Sequence, residues 1–166
     1  MDGLTLRALE PEDLDQLVRW EADHADAGLR IAPYSRSVLK RYLDEAHRDF
    51  WEAEQVRFVL SAANGKALGL LDLFNAQPVH QRAEVAVLID PSVRNQGLGR
   101  AGLQLLEQWA FDRAGLRSLY AEVFQHNVPA LNLFAAAGYR QSGVLNAWYR
   151  VGREFQDVAV LQKLRE

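Results

Sequence analysis

Apolar and polar positions along this chain change between a two-residue and a helical period, and those changes mark out its elements. Leu4, Leu6 and Ala8 alternate with Thr5 and Arg7, which predicts a strand over Gly3–Leu9. Pro11-Glu12-Asp13 opens a helix, because proline suits a first turn and acids suit its positive end. Leu14, Leu17, Val18 and Glu21 carry the helical spacing on to about Ala25. Gly28–Pro33 reads as a loop. Ser35 or Ser37 then caps a second helix whose shared face is Val38, Leu39, Tyr42, Leu43 and Ala46. Val56–Ala62 and Ala67–Phe74 flank Asn64-Gly65, a strong hairpin signal. Asn75–Gln81 is a polar connection. Glu84–Ile89 follows as a short, almost continuous apolar run, the pattern of a strand buried on both faces.

Asp90-Pro91 ends that strand. A helix beginning near Leu98 runs through Leu103, Leu105, Leu106, Trp109 and Ala110 to a glycine cap at Gly115. Leu116–Phe124 is another strand. Asn127 starts a short helix carrying Leu131, Phe134 and Ala135 on its apolar face, and Gly138 stops it. Tyr139–Arg150 and Glu154–Leu164 form two antiparallel strands joined around Val151-Gly152. The order β-α-α-β-β-β-α-β-α-β-β is mixed α/β, with one right-handed crossover from the Glu84 strand to the Leu119 strand. Without repeat, linker or low-complexity stretch, residues 1–166 read as a single domain.

Composition narrows the class. A hydrophobic fraction of 49% and a charged fraction of 25% are ordinary for a soluble globular protein. A net charge of −3 gives no reason to expect nucleic-acid binding. Without cysteine there are no disulfides, thiolate nucleophiles or Cys-based zinc sites, which fits a reducing cytoplasm. His24, His47, His80 and His126 lack the spacing of metal ligands, so no metal is expected. The amino terminus lacks a signal-peptide pattern, and no apolar run is long enough for a bilayer. The expectation is a cytoplasmic domain without membrane contact.

The chemistry concentrates between Ala83 and Gly102. Glycines at a strand-to-helix turn leave backbone N–H groups uncovered, and the helix dipole adds positive potential. Arg94 and Arg100 beside them can add charge-assisted hydrogen bonds to an anion. The stretch therefore reads as a cradle for a phosphate or pyrophosphate. One ligand it could take is a dinucleotide, since Gly97-x-Gly99-x-x-Gly102 matches that fingerprint and Glu122 lies where a ribose-binding acid belongs. Against this, Asp90–Gln96 separate strand and first glycine, where the dinucleotide motif needs a direct tight turn.

The second reading rests on two motifs. Arg94-x-x-Gly97-x-Gly99 after an apolar strand resembles the acetyl-CoA motif of the GCN5-related N-acetyltransferases, the GNAT family. Downstream, Asn127-x-x-Ala130-x-x-Leu133-Phe134-x-x-x-Gly138-Tyr139 resembles that family's Asn-x-x-Ala-x-x-Leu-Tyr-x-x-x-Gly-Phe segment. The resemblance extends from about His80 to Leu164. Within the family, His80–Glu84 and the ending Arg153-Glu-Phe-Gln-Asp157-Val-Ala-Val look most like the spermidine and diamine acetyltransferase branch.

This resemblance implies a GNAT-like fold: a central, mostly antiparallel, twisted sheet of about seven strands, splayed between strands 4 and 5 and flanked by about four helices. It implies acetyl-CoA as cosubstrate. Backbone amides of Gln96, Gly97, Gly99 and Arg100 would hold its pyrophosphate, with Asn95 and Leu98 in the same loop and Arg94 approaching the phosphates or bracketing the loop. The pantetheine arm would pair with the freed Glu84 strand, placing Val87 beside the thioester and Ile89 beside the pantetheine. Asn127 would bond a pantetheine amide. Family members often dimerise.

Transfer of acetyl to an amine needs a neutral nucleophile, a donor for the developing oxyanion and an exit for the thiolate. The Val87–Leu88 backbone is the expected donor. Glu84, at the strand entrance, is the expected base. The family's usual acid, the tyrosine of Leu-Tyr, is Phe134 here, which cannot donate a proton. Tyr139 and Tyr149 are near in sequence, but sequence alone places neither. Glu10, Glu12, Asp13, Asp15, Glu21, Asp23 and Asp26 crowd the first helix and its loop, ordinarily a solvated face. In the resembled family that loop borders the acceptor groove, so the resemblance implies a cationic acceptor: a polyamine, an amino sugar or a peptide amine. The expected function is direct N-acetyl transfer to a primary amine. The alternatives are a non-catalytic acyl-CoA-binding or sensing domain, and a dinucleotide-binding oxidoreductase.

Overall fold

The strands are β1 (Thr5–Ala8), β2 (Val56–Ser61), β3 (Ala67–Gln77), β4 (Arg82–Ile89), β5 (Ser118–Phe124), β6 (Arg140–Val151) and β7 (Glu154–Leu164). In this computed structural model, which describes residues 3–25, 34–45 and 48–165, they form one sheet in the order β1-β2-β3-β4-β5-β7-β6. The loop expected over Gly28–Pro33, together with Asp26, Ala46, His47 and the side chains of Asp23 and His24, lies outside the described residues. Neighbouring strands run antiparallel except β4 and β5, which are parallel. That parallel contact is brief: Arg82–Glu84 pair with Ser118–Tyr120, and beyond them the strands diverge. The predicted splay is present.

The helices are α1 (Leu14–Ala25), α2 (Arg36–Glu45), α3 (Phe50–Ala53), α4 (Leu98–Gln108) and α5 (Val128–Ala136). Strand alternation sends Ala83, Val85, Val87 and Ile89 to the α4–α5 face of the sheet, where Leu60, Leu71, Leu103, Leu106 and Leu119 form the main core. Leu88 points the other way, against a smaller cluster in which Leu17 and Trp20 of α1 and Leu39 of α2 pack on Val59 and Leu70. Close approach depends on two glycines, Gly69 between neighbouring strands and Gly102 between helix and sheet. A Cβ on Gly69 would stand 2.2 Å from the Leu88 carbonyl oxygen, and one on Gly102 would stand 3.1 Å from Leu60 and Leu71.

Several boundaries differ from the sequence pattern for identifiable reasons. Pro11–Asp13 form a separate 3-10 turn ahead of α1, fixed where Arg7 grips Asp13 at 2.7 and 2.8 Å. β3 runs on to Gln77 through residues expected to be a connection, because Gln77 pairs with Arg82 around a bulge that puts Asn75 at φ 50°. Helix α3 is too short to show a period; Asp49 makes it by accepting from Trp51 N–H at 2.9 Å. After Gln108, α4 widens into a π turn over Trp109–Arg113, and Leu116 N–H closes it on Ala110 O before β5 starts at Ser118. Among the described residues no helix is long and apolar enough to cross a membrane.

Candidate active site

The loop between β4 and α4 has the conformation an anion cradle requires. Pro91–Val93 make a 3-10 turn, and Asn95 (φ 61°) and Gly97 (φ 76°) then adopt left-handed conformations on either side of Gln96. The first backbone bond of α4 runs from Ala101 N–H to Gly97 O at 3.1 Å. The N–H groups of Leu98, Gly99 and Arg100 lie ahead of it, in the positive end of the helix. Asn95, Gln96, Gly97 and Arg100 are exposed, so the cradle opens to solvent. Gly99 has a packing reason as well: a Cβ there would come within 3.3 Å of Leu133 on α5. Arg94 brackets the loop, its Nε donating to Ile89 O at 3.0 Å. Asn127 caps α5, its Oδ1 accepting from Ala130 N–H at 3.2 Å.

From this cradle the cleft between β4 and β5 leads back to Glu84. Val87, Leu88 and Ile89 lie on the part of β4 that has left β5, so their backbone borders the cleft. Glu84 is buried and accepts from Asn75 Nδ2 at 2.9 Å. Burial raises its pKa; the bonds from Asn75 and Tyr120 oppose the rise and the charge of Glu122 adds to it. Sequence reading singled out Glu84 but offered Glu122 only as a ribose ligand. The sheet register shows what was missed. Glu84 faces Tyr120, so Glu122, two residues on, stands where the pairing has just opened and on the same face as Glu84. Tyr149 Oη and Trp148 Nε1 both donate to its Oε2, at 2.8 and 3.1 Å.

The remaining hydroxyls separate clearly. Phe134 is buried and packs edge-on against Tyr139, with ring centroids 5.0 Å apart. Tyr139 is itself in the core, and burial together with the Glu107 carboxylate beside it raises its hydroxyl pKa far above the ordinary value. Lys163 pairs with Glu107 at 2.7 Å and caps α5 at Ala137 O, which makes this a structural cluster. Tyr149 lies at the cleft mouth, and burial and Glu122 likewise keep it protonated. His126 stacks on Phe124 at 5.2 Å. Among the described residues no group of three or more His, Asp or Glu could hold a metal ion.

The acetyltransferase (GNAT) domain family matches residues 3–140. The chain belongs to the GNAT acetyltransferases. It is 25% identical over 166 residues to a spermidine N(1)-acetyltransferase of Vibrio cholerae, covering 93% of this chain and 89% of the relative. A dodecameric structure of spermidine N-acetyltransferase from Vibrio cholerae superposes with a TM-score of 0.85 at 26% identity, covering 99% of this chain and 95% of that one. The Vibrio cholerae enzyme in complex with CoA and spermine, at 23% identity, shares the fold with a TM-score of 0.90, covering 99% of this chain and 96% of that one. The dinucleotide reading falls, because the 3-10 turn parts the glycines from β4 and the sheet is mostly antiparallel. In this GNAT domain the left-handed turn follows the free end of β4, and Glu84 and Glu122 lie where β4 and β5 part.

Proposed function

We propose that the protein transfers the acetyl group of acetyl-CoA directly to a primary amine, without an acyl-enzyme. The observation that carries this reading is the early divergence of β4 from β5, which leaves strand edges for an extended ligand and ends in the Asn95–Arg100 cradle. Backbone amides of Gln96, Gly97, Gly99 and Arg100 would hold the diphosphate, and Arg94 supports the loop from behind. Ile89, Val87 and Asn127 would line the pantetheine. An amide of the Val87–Leu88 segment would face the acetyl oxygen as it becomes negative.

The amine arrives as an ammonium. Glu122, beside the point where β4 and β5 part, attracts it, and the proton passes directly or through water to the Glu84–Glu122 pair. Burial suits Glu84 to receive it, since a carboxyl with a raised pKa is a better base near neutrality. The C–N bond then forms, the second proton on that nitrogen leaves to water as the C–S bond breaks, and the departing thiolate takes a proton back from water. A thiol of ordinary pKa about 8.5 leaves readily as its anion, so loss of the tyrosine at Phe134 need not stop the reaction. Holding the two reactants together supplies more of the rate than either proton transfer.

The relatives named above act on spermidine, and their acceptor belongs to the class proposed here. One of them is dodecameric, which supports self-association. A need for acetyl-CoA and the absence of cysteine support work in a reducing cytoplasm. The test is to incubate the protein with acetyl-CoA and primary amines and follow free thiol and acetylated amine together. A specific observation favours one alternative, a non-catalytic acyl-CoA-binding domain: Phe134 is buried and offers no hydroxyl. Tight CoA binding with no transfer to any amine would select it.

A further inference from the structure

On the α1–α2 side of the sheet lies a cavity of about 310 Å3. Its floor includes Leu70 of β3 and Ala86 to Leu88 of β4, the segment proposed to carry the thioester. Its roof is Leu17 and Trp20 of α1 with Leu39 and Tyr42 of α2. Phe74 also lines it, and Phe74 is the register partner of Glu84. Cavity and buried carboxylate are therefore neighbours on one face. An amine whose nitrogen reaches the Glu84–Glu122 pair can lay the rest of its body here.

The lining decides what that body is. Among the described residues, two carboxylates reach the cavity, and both are engaged. Asp72 is gripped by the fork of Arg57, Nε to Oδ1 at 2.7 Å and Nη2 to Oδ2 at 2.6 Å. Tyr42 lies against the same guanidinium, 5.2 Å from its ring centroid. Glu21 has an interaction of its own. A second ammonium placed beside Asp72 would have to compete with the Arg57 fork for that carboxylate, and burying a charge without its partner is unfavourable. Apart from Gln55, the rest of the described lining is aliphatic and aromatic. The volume is about twice the roughly 150 Å3 of a dry apolar cavity able to hold benzene, which leaves room for a ring and a short linker.

We infer that the acceptor is a monoamine carrying an apolar arm, an arylalkyl or alkyl group, and that this cavity between α1, α2 and β2–β4 receives the arm. The inference rests on the acetyl-transfer reading for the position of the nitrogen, not for the chemistry of the cavity. It separates this chain from its relatives that act on spermidine, whose acceptor is a polycation.

The test uses 2-phenylethylamine, hexylamine and spermidine as probes. With acetyl-CoA present, kcat/KM for 2-phenylethylamine should exceed that for spermidine at least tenfold, with hexylamine between them. Spermidine equal to or better than the aryl amine overturns the inference. Binding is measured separately by titrating each amine into the CoA-loaded protein, so that loss of catalysis does not hide the answer. Leu39→Phe and Leu17→Phe intrude on the cavity from two helices, and circular dichroism verifies that each folds. Each should weaken 2-phenylethylamine binding about tenfold and leave spermidine unchanged. Equal aryl-amine binding in wild type and a folded variant overturns the cavity assignment. Arm-dependent binding without thiol release retains the cavity and removes the transferase reading.

Discussion

Tyr149 Oη donates to Glu122 Oε2 over 2.8 Å, reaching from β6 across β7 to the point where β5 parts from β4. Trp148 Nε1 joins it at 3.1 Å, so one carboxylate oxygen is fixed by two donors from an outer strand. Their direction follows from a register shift between Leu145 and Tyr149, where Ala147 takes φ 50° and donates its N–H to Asp157. If Glu122 receives the ammonium, this clamp positions it. Tyr149→Phe should lower kcat/KM for the amine several-fold and leave CoA affinity unchanged. Glu122→Gln should lower it further, by roughly tenfold or more. Steady-state kinetics paired with CoA titration checks both; an unaffected Glu122→Gln removes the residue from the reaction.

Glu84 makes the pH dependence specific. Its folded pKa lies above the ordinary carboxyl value, chiefly because it is buried. The folded state therefore holds a proton that the unfolded chain has released, and stability falls as pH rises from the ordinary value through the folded one. Glu84→Gln removes that loss. The stability of the variant relative to wild type should increase over this window and level off above it, read from denaturant midpoints. Activity runs the other way: wild-type kcat/KM should rise with pH across the same window, and Glu84→Gln should flatten that limb.

How far the sequence carries depends on whether a feature is local. The turn before α4 was legible because Gly97 and Gly99 act through their own backbone, while Arg94 and Asn127 act through side-chain bonds that span only a few residues. Strands and long helices followed from periodicity. The register between Glu84 and Tyr120 did not, and without it Glu122 carries no signal beyond a carboxylate in a strand. The Trp148–Tyr149 clamp needs a bulge that no turn residue announces, since a non-glycine, Ala147, takes the left-handed position. Asn75, expected in a connection, reaches Glu84 for the same reason: a bulge in β3 carries the strand past it.

Gly97 separates ligand binding from folding. At φ 76° and ψ 2° it caps α4 in a conformation other residues enter at a cost of about 1–2 kcal/mol. Its surroundings are exposed, so a methyl group adds strain without a core clash. Gly97→Ala should lower the melting temperature by only a few degrees, while the shifted backbone amides weaken CoA binding tenfold or more. Isothermal titration beside a thermal melt distinguishes the two effects. Unchanged CoA affinity in the folded variant would move the diphosphate away from this loop.

Gly69 gives the opposite result. A Cβ there would lie 2.2 Å from Leu88 O, a backbone atom on the strand that borders the cleft. Neither β3 nor β4 can yield without disturbing the pairing of Gly69 with Ile89. Gly69→Ala should destabilise by about 1–3 kcal/mol or more, the range for overpacking a filled interior. Urea unfolding measures it, and a variant as stable as wild type would show that the two strands are farther apart than described.

Phe134 tests what the missing hydroxyl is worth. It is buried on α5 against Tyr139, in the segment where the resemblance expects a tyrosine. In Phe134→Tyr a new hydroxyl either reaches the cleft or lies unpaired in the core. Reaching the cleft, it would donate to the departing thiolate and raise kcat with little change in KM. The gain should be about tenfold, below the 10²–10⁴ typical of proton transfer to a poor leaving group, because a thiolate needs less help. Left unpaired, it would lower stability by roughly 1–3 kcal/mol and leave kcat where it was. Measuring kcat and the unfolding midpoint on one preparation separates the cases. We expect the rate gain; a destabilised protein of unchanged kcat would mean that position 134 no longer faces the reaction.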